Sequence, residues 1–258
     1  MEINWPRWLT VGLLLLAGTA QGEDRVVTLE TRPGISVTSY FMPRPAARAT
    51  LLLFTGGSGN LGLRGDVPNS QNFLVRSREL FAQAGFNVFL IGRPSDRPDM
   101  DNDFRASPPH LADIRHVIAW LKQQSDTPIW LAGTSRGTIS AAASAIDVQD
   151  GIAGVVLTST VTSFRARGVS TLPLDRIHVP VLLVHHADDA CKACSPNEVR
   201  WISEHLTGTP VRQTRFMQGG DRPEGDPCGA LHRHGYIGIE AETVRVITDW
   251  INDPRSMP

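Results

Sequence analysis

The segment from Ile129 to Ile146 constrains this chain more than any other. Ile129-Trp130-Leu131-Ala132 is a short apolar run that reads as a buried strand. Gly133-Thr134-Ser135-Arg136-Gly137 follows, and Thr138–Ile146 then reads as a helix of small residues. Strand, G-x-S-x-G, helix is the pattern of a sharp turn that lifts a serine clear of the backbone. A serine hydroxyl is a weak nucleophile and must meet a base and a substrate carbonyl together. Such a turn crowds the residues two before and two after the serine. Gly133 and Gly137 occupy those places, where a missing Cβ relieves the clash. The plain alternative is a glycine-bracketed turn with a solvated serine. The flanking strand and helix argue against it.

The rest of the chain alternates in the same way. Val26–Thr31 and Ile35–Met42 flank Arg32-Pro33-Gly34 and read as a hairpin. Thr50–Thr55 is a buried strand that runs into Gly56-Gly57-Ser58-Gly59. A helix is expected over Phe73–Ala84 and a strand over Asn87–Ile91. Arg93–Pro109, rich in proline, reads as a loop, and His110–Gln124 carries a helical apolar stripe. Gly154–Thr158 and Pro180–Val184 are further strands, with an irregular stretch between them. Asn197–Leu206 is a helix, Val211–Phe216 an edge strand and Ala241–Ile251 the last helix. Near-continuously apolar strands alternating with helices imply an α/β fold. Its sheet is doubly wound and mostly parallel, with helices on both faces and an antiparallel hairpin at one edge.

A serine nucleophile needs a base, and the base needs an orienting acid. In such a sheet both belong on loops at the carboxyl ends of strands. Pro180–Val184 is followed by His185-His186-Ala187-Asp188-Asp189, and the last strand by a loop that ends His232-Arg233-His234-Gly235-Tyr236. The chain order is therefore Ser, Asp, His. The segment PVLLVHHADD is similar to the PVLLVHGxxD pattern of the α/β-hydrolase superfamily, and His234-Gly235-Tyr236 resembles its His-Gly-aromatic ending. The chain thus resembles the compact serine esterases and dienelactone-hydrolase-like proteins over about residues 26–252. The resemblance implies a carboxylic ester hydrolase with Ser135 as nucleophile, His234 as base and Asp189 as acid. His186 replaces the usual glycine of the pattern, which keeps Asp188 as the rival acid; His232 is the rival base. Thr55-Gly56-Gly57 stands where the family often has His-Gly-x. This points to the backbone amides of Gly57 and Arg136 as the oxyanion hole. The same triad also serves thioesterases and peptidases, and the fold can host a noncatalytic binding module.

No large lid domain is expected, because the stretch between Thr158 and Pro180 is too short for one. The site walls are then expected from Gly59–Asn72 and Arg93–Pro109. Arg64, Arg93, Arg97, Arg105, Arg136 and Arg165 could hold an anionic substrate group. The plainer expectation is solvated loop charge, paired with Asp96, Asp99, Asp101 and Asp103.

Composition narrows the context. A chain of 258 residues with 41% hydrophobic content can bury one substantial core. A formal net charge of -1 gives no footprint for nucleic acid or an acidic membrane surface. Arg7 precedes an apolar run over Trp8–Ala17, too short to span a bilayer, and Ala20-Gln21-Gly22 fits a cleavage site. Residues 1–22 therefore read as a secretory signal peptide without a stable membrane anchor, and residues 23–258 as one domain exported to the periplasm or secreted. An uncleaved anchor helix is the alternative. Export allows a disulfide among Cys191, Cys194 and Cys228. If Asp189 and His234 are acid and base, their loops meet, so Cys191–Cys228 is the expected bridge, with Cys194–Cys228 its rival. It would close a loop of about 38 residues, worth roughly 3–4 kcal/mol. The Cys and His spacing matches no closed zinc signature, so no metal and no cofactor is expected. The expected partner is a small-molecule ester.

Overall fold

The computed structural model describes residues 22–255 together with Met1. Of the expected leader, residues 1–22, residues 2–21 lie outside the described residues. Strands β1 (Arg25–Arg32) and β2 (Ile35–Met42) form the expected antiparallel hairpin. Strand β3 (Thr50–Phe54) is followed by a two-residue ribbon, β4 (Leu63–Arg64) and β5 (Val67–Pro68). Two short helices, α1 (Phe73–Arg76) and α2 (Arg78–Gln83), lead to β6 (Asn87–Ile91). Then come α3 (Asn102–Arg105), α4 (Pro108–Gln124), β7 (Ile129–Thr134), α5 (Gly137–Asp147) and β8 (Gly154–Thr158). The chain closes with β9 (Val181–His186), α6 (Val199–His205), β10 (Arg212–Met217) and α7 (Glu240–Asn252).

The main sheet has eight strands in the order β1-β2-β6-β3-β7-β8-β9-β10. All neighbours from β6 to β10 pair in parallel, and β2 joins β6 antiparallel. Side-chain alternation along β3 separates the two cores. Leu52 and Phe54 face a layer with Ile114, Val117, Ile139 and Ile202 from α4, α5 and α6. Leu51 and Leu53 face Phe73, Phe81, Val244 and Ile247 from α1, α2 and α7. Among the described residues no helix is long and apolar enough to cross a membrane.

Four elements differ from expectation. The helix over 73–84 is split at Ser77, whose φ of -93° and ψ of 2° break the first turn from the second. The proline-rich loop contains α3, which the Asp101 carboxylate caps by accepting from Phe104 N at 2.7 Å. Strand β9 extends through His186, so His185 and His186 are buried strand residues rather than loop residues. The helix expected from Asn197 begins with a 3-10 turn, and its α-helical part starts at Val199.

Candidate active site

The chain passes from β3 to β6 on one side and then returns to β7 on the other. The carboxyl ends of β3 and β7 therefore flank the switch point of the sheet, where ligand crevices form in open α/β folds. Phe54 stands opposite Gly133 across this pair.

Ser135 sits at the tip of the turn after β7 with a φ of +52°. A non-glycine residue in this region is strained and is held there by its surroundings. Its N–H donates to Thr158 O at 3.0 Å, and its carbonyl accepts from Thr138 N at 2.9 Å. Both flanking glycines are sterically required. A Cβ on Gly137 would stand 2.0 Å from Phe54 O, and one on Gly133 would stand 2.4 Å from Gly137 O.

The Asp189 carboxylate accepts from His234 Nδ1 at 2.8 Å, and both side chains are buried. Asp189 Oδ1 also accepts from Cys191 N at 2.9 Å. His185 Nε2 lies 2.9 Å from Cys194 O and 3.3 Å from Asp189 Oδ2, and it can serve both acceptors only as a donor. Burial alone would raise the Asp189 pKa. The hydrogen bonds from His185 and His234 outweigh it and hold the carboxyl down to about 2. Asp188 is exposed and makes a backbone bond to His186 Nδ1. His232 is only partly buried.

The loop that carries His234 is fixed by residues that sequence reasoning missed. Ser159 Oγ donates to His234 O at 2.7 Å. Tyr236, fully buried and packed on Phe73, donates to Val184 O at 2.8 Å and accepts from Ser159 N at 3.0 Å. Arg76 donates to Gly235 O and pairs with Glu240. These contacts join residues 52 to 164 positions apart in the chain, and no local pattern announces them.

Ser135 and His234 line one cleft of about 360 Å³ with Gly56, Gly57, Asn72 and Cys228. His234 Nε2 is buried there without a protein partner. The loop after β3 reaches the serine: a Cβ on Gly56 would stand 2.9 Å from Ser135 Cβ. Gly57 takes a φ of +57° and lines the cleft. Arg136 opens α5 and turns its guanidinium away, to Asn102 at 2.9 Å and Asp99 at 3.4 Å. The expected wall over Gly59–Asn72 is present in part, through Asn60, Gly62 and Ser70–Asn72, whereas residues 93–109 do not line this cleft.

Arg105 departs most from expectation. It is fully buried rather than a solvated loop charge. Its Nη2 donates to Gly57 O, its Nε to Met100 O and its Nη1 to Ser140 Oγ, each at 3.1 Å. Burial, then the charge of Arg136, lowers its pKa to about 9. His110 Nε2 joins the same network at 3.0 Å from Ser140 Oγ. One guanidinium thus ties the Gly57 loop to the helix that follows Ser135.

The disulfide joins Cys191 to Cys228, as expected from the two loops, and Cys194 is a buried free thiol. Burial and the nearby Asp189 carboxylate push the Cys194 thiol well above its ordinary pKa.

The sequence matches no protein-family model and no curated protein. Solved structures do resemble it. Est1E from Butyrivibrio proteoclasticus superposes with a TM-score of 0.62 at 16% identity, over 89% of this chain and 98% of that one. An α/β serine hydrolase without a lid, from Xanthomonas campestris, gives 0.61 at 16%, over 92% and 97%. A predicted CIB-like hydrolase from Thermoplasma acidophilum gives 0.60 at 18%, over 90% and 99%. This chain has the α/β-hydrolase fold, and no large lid is present among the described residues.

Proposed function

We propose that the chain is a serine hydrolase that cleaves a carboxylic ester through an acyl-enzyme. The observation that carries this reading is the buried 2.8 Å bond from His234 to Asp189, with His234 lining the same cleft as a serine strained to positive φ. Asp189 holds Nδ1–H of His234 and so leaves the Nε2 lone pair as the base. Ser135 Oγ attacks the ester carbonyl while His234 takes its proton. The amides of Gly57 and Arg136 receive the charge that develops on the carbonyl oxygen. His234 then returns the proton to the leaving alcohol, and water repeats the sequence to release the acid.

Arg105 is a positioning residue in this scheme, because it fixes the Gly57 peptide against the helix of the nucleophile. Est1E, named above, has also been solved with ferulic acid bound. Export of the mature chain belongs to the same proposal and is supported by the leader pattern and the disulfide.

A fluorophosphonate probe tests the reading directly. It should label the wild-type protein once and should not label Ser135→Ala. Aryl esters should turn over at least about tenfold faster than matched amides, the margin expected from the better leaving group. Labelling that persists in Ser135→Ala would place the nucleophile elsewhere.

A further inference from the structure

Three sulfurs gather where the acid and base loops meet. The Cys194 sulfur, the Cys191 sulfur and a ring nitrogen of His234 all lie within 4.8 Å of one another, and all three residues are buried. The Ser135 side chain lies against the Cys194 thiol as well. Thiolates and an imidazole at this spacing suit a tetrahedral Zn²⁺, whose ligand atoms stand roughly 3.5–4 Å apart. One bond stands in the way, because the Cys191 sulfur is joined to Cys228. Reduction would free it. It would also bring a fourth donor, the Cys228 sulfur that the same step releases.

We propose that the Cys191–Cys228 bridge masks a Zn²⁺ site formed by Cys191, Cys194, Cys228 and His234, which opens on reduction and silences Ser135 when filled. The metal-binding half stands on the cluster alone. The silencing half rests on the serine-hydrolase reading.

A second observation supports the site. His234 Nε2 is buried and has no protein partner, while Nδ1 is held by Asp189 at 2.8 Å. A carboxylate that fixes one imidazole nitrogen is also what orients a zinc-bound histidine. The scaffold does not depend on the bridge alone. The Asp189–His234, Ser159–His234 and Arg76–Gly235 bonds tie the same two loops into the sheet.

The chemistry balances with a phosphine or dithiol as reductant. Two electrons and two protons convert the bridge to two thiols, and the reductant leaves as its oxide or disulfide. Zn²⁺ then forms three Zn–S bonds and one Zn–N bond, and up to three thiol protons pass to solvent. The imidazole lone pair is consumed, so it can no longer accept the Ser135 proton.

The test uses the mature chain without oxygen, with and without a non-chelating phosphine, given one equivalent of Zn²⁺ and desalted. Elemental analysis should find close to one zinc per reduced chain and less than a tenth of that in the oxidised chain. Cys228→Ser frees Cys191 without any reductant and should hold zinc through the three clustered ligands. Cys194→Ser, shown to be folded by circular dichroism, should bind at least tenfold more weakly. Ser135→Ala should bind zinc like the wild type, so a failure of the hydrolase reading leaves this measurement intact. In the wild type, zinc should block fluorophosphonate labelling of the reduced chain, and a chelator should restore it. Reduced wild type and Cys228→Ser that take up no more zinc than the oxidised chain would overturn the site. So would unfolding on reduction, or Cys194→Ser binding at wild-type strength. Undiminished labelling with zinc bound would overturn the silencing.

Discussion

At the scale of single residues, the candidate chemistry turns on which of two adjacent carboxylates meets the imidazole. Asp189 does, and two histidines plus a backbone N–H hold its charge in a buried place. Asp189→Asn should reduce kcat by about 10⁴-fold, as loss of an orienting carboxylate does in other triads. Asp188→Asn should stay within a few-fold of wild type, because that side chain is exposed. Steady-state kinetics on one aryl ester would decide, and the reverse ranking would reassign the acid. Arg105 gives a second prediction at this scale. Arg105→Met leaves the Gly57 carbonyl without its donor, so kcat should fall about 10²-fold, comparable to losing an oxyanion contact. KM should hold, since Arg105 does not line the cleft. A merely structural role would instead lower the melting temperature without this split. Ser135, Asp189 and His234 could be singled out in the sequence because each sits in a short motif, the first two just past strands and the third before the last helix. Arg105, Ser159 and Tyr236 could not. Apart from Met100, their partners lie 35 to 77 positions away, and a buried arginine in a polar loop reads like an exposed one.

At the scale of elements, the strained turn after β7 depends on close backbone approach. Gly137→Ala would drive a methyl to 2.0 Å from Phe54 O and force β3 and α5 apart. We expect a loss of about 3 kcal/mol or more, the upper range for overpacking. Gly57→Ala is the control. Nothing lies within 4 Å of its Cβ, so only the positive φ resists, at about 1 kcal/mol. Urea unfolding of the two variants measures both, and similar losses would show that crowding is not what selects glycine at 137. The regular elements were legible because buried parallel strands are short apolar runs and α4 has a clear apolar stripe. The misses share a cause. Ser77 and Asp101 act through backbone geometry and capping, which hydrophobic periodicity does not register.

At the scale of the whole molecule, the acid response of the fold should be set by two buried groups near the site. His110 is fully enclosed. Burial, then the charges of Arg105 and Arg32, lowers its pKa from 6.5 to about 3. Its Nδ1 has no partner, so a proton there would be bare. The unfolded chain takes up that proton below about pH 6.5, and the folded chain refuses it until about pH 3. Stability from this group is therefore whole above pH 6.5 and drains as pH falls, at up to about 1.4 kcal/mol per pH unit. Asp189 has the same sign in a lower window, because its pKa falls from 3.8 to about 2 and its stabilisation is lost only over that range. Between pH 6 and 4.5 His110 should thus act without Asp189. His110→Gln retains an amide donor for Ser140 but cannot titrate. It should flatten the fall in the urea midpoint across that window relative to wild type, whatever it does to stability at pH 7. Equal slopes for the two proteins would show that protonation of His110 does not drive the acid response.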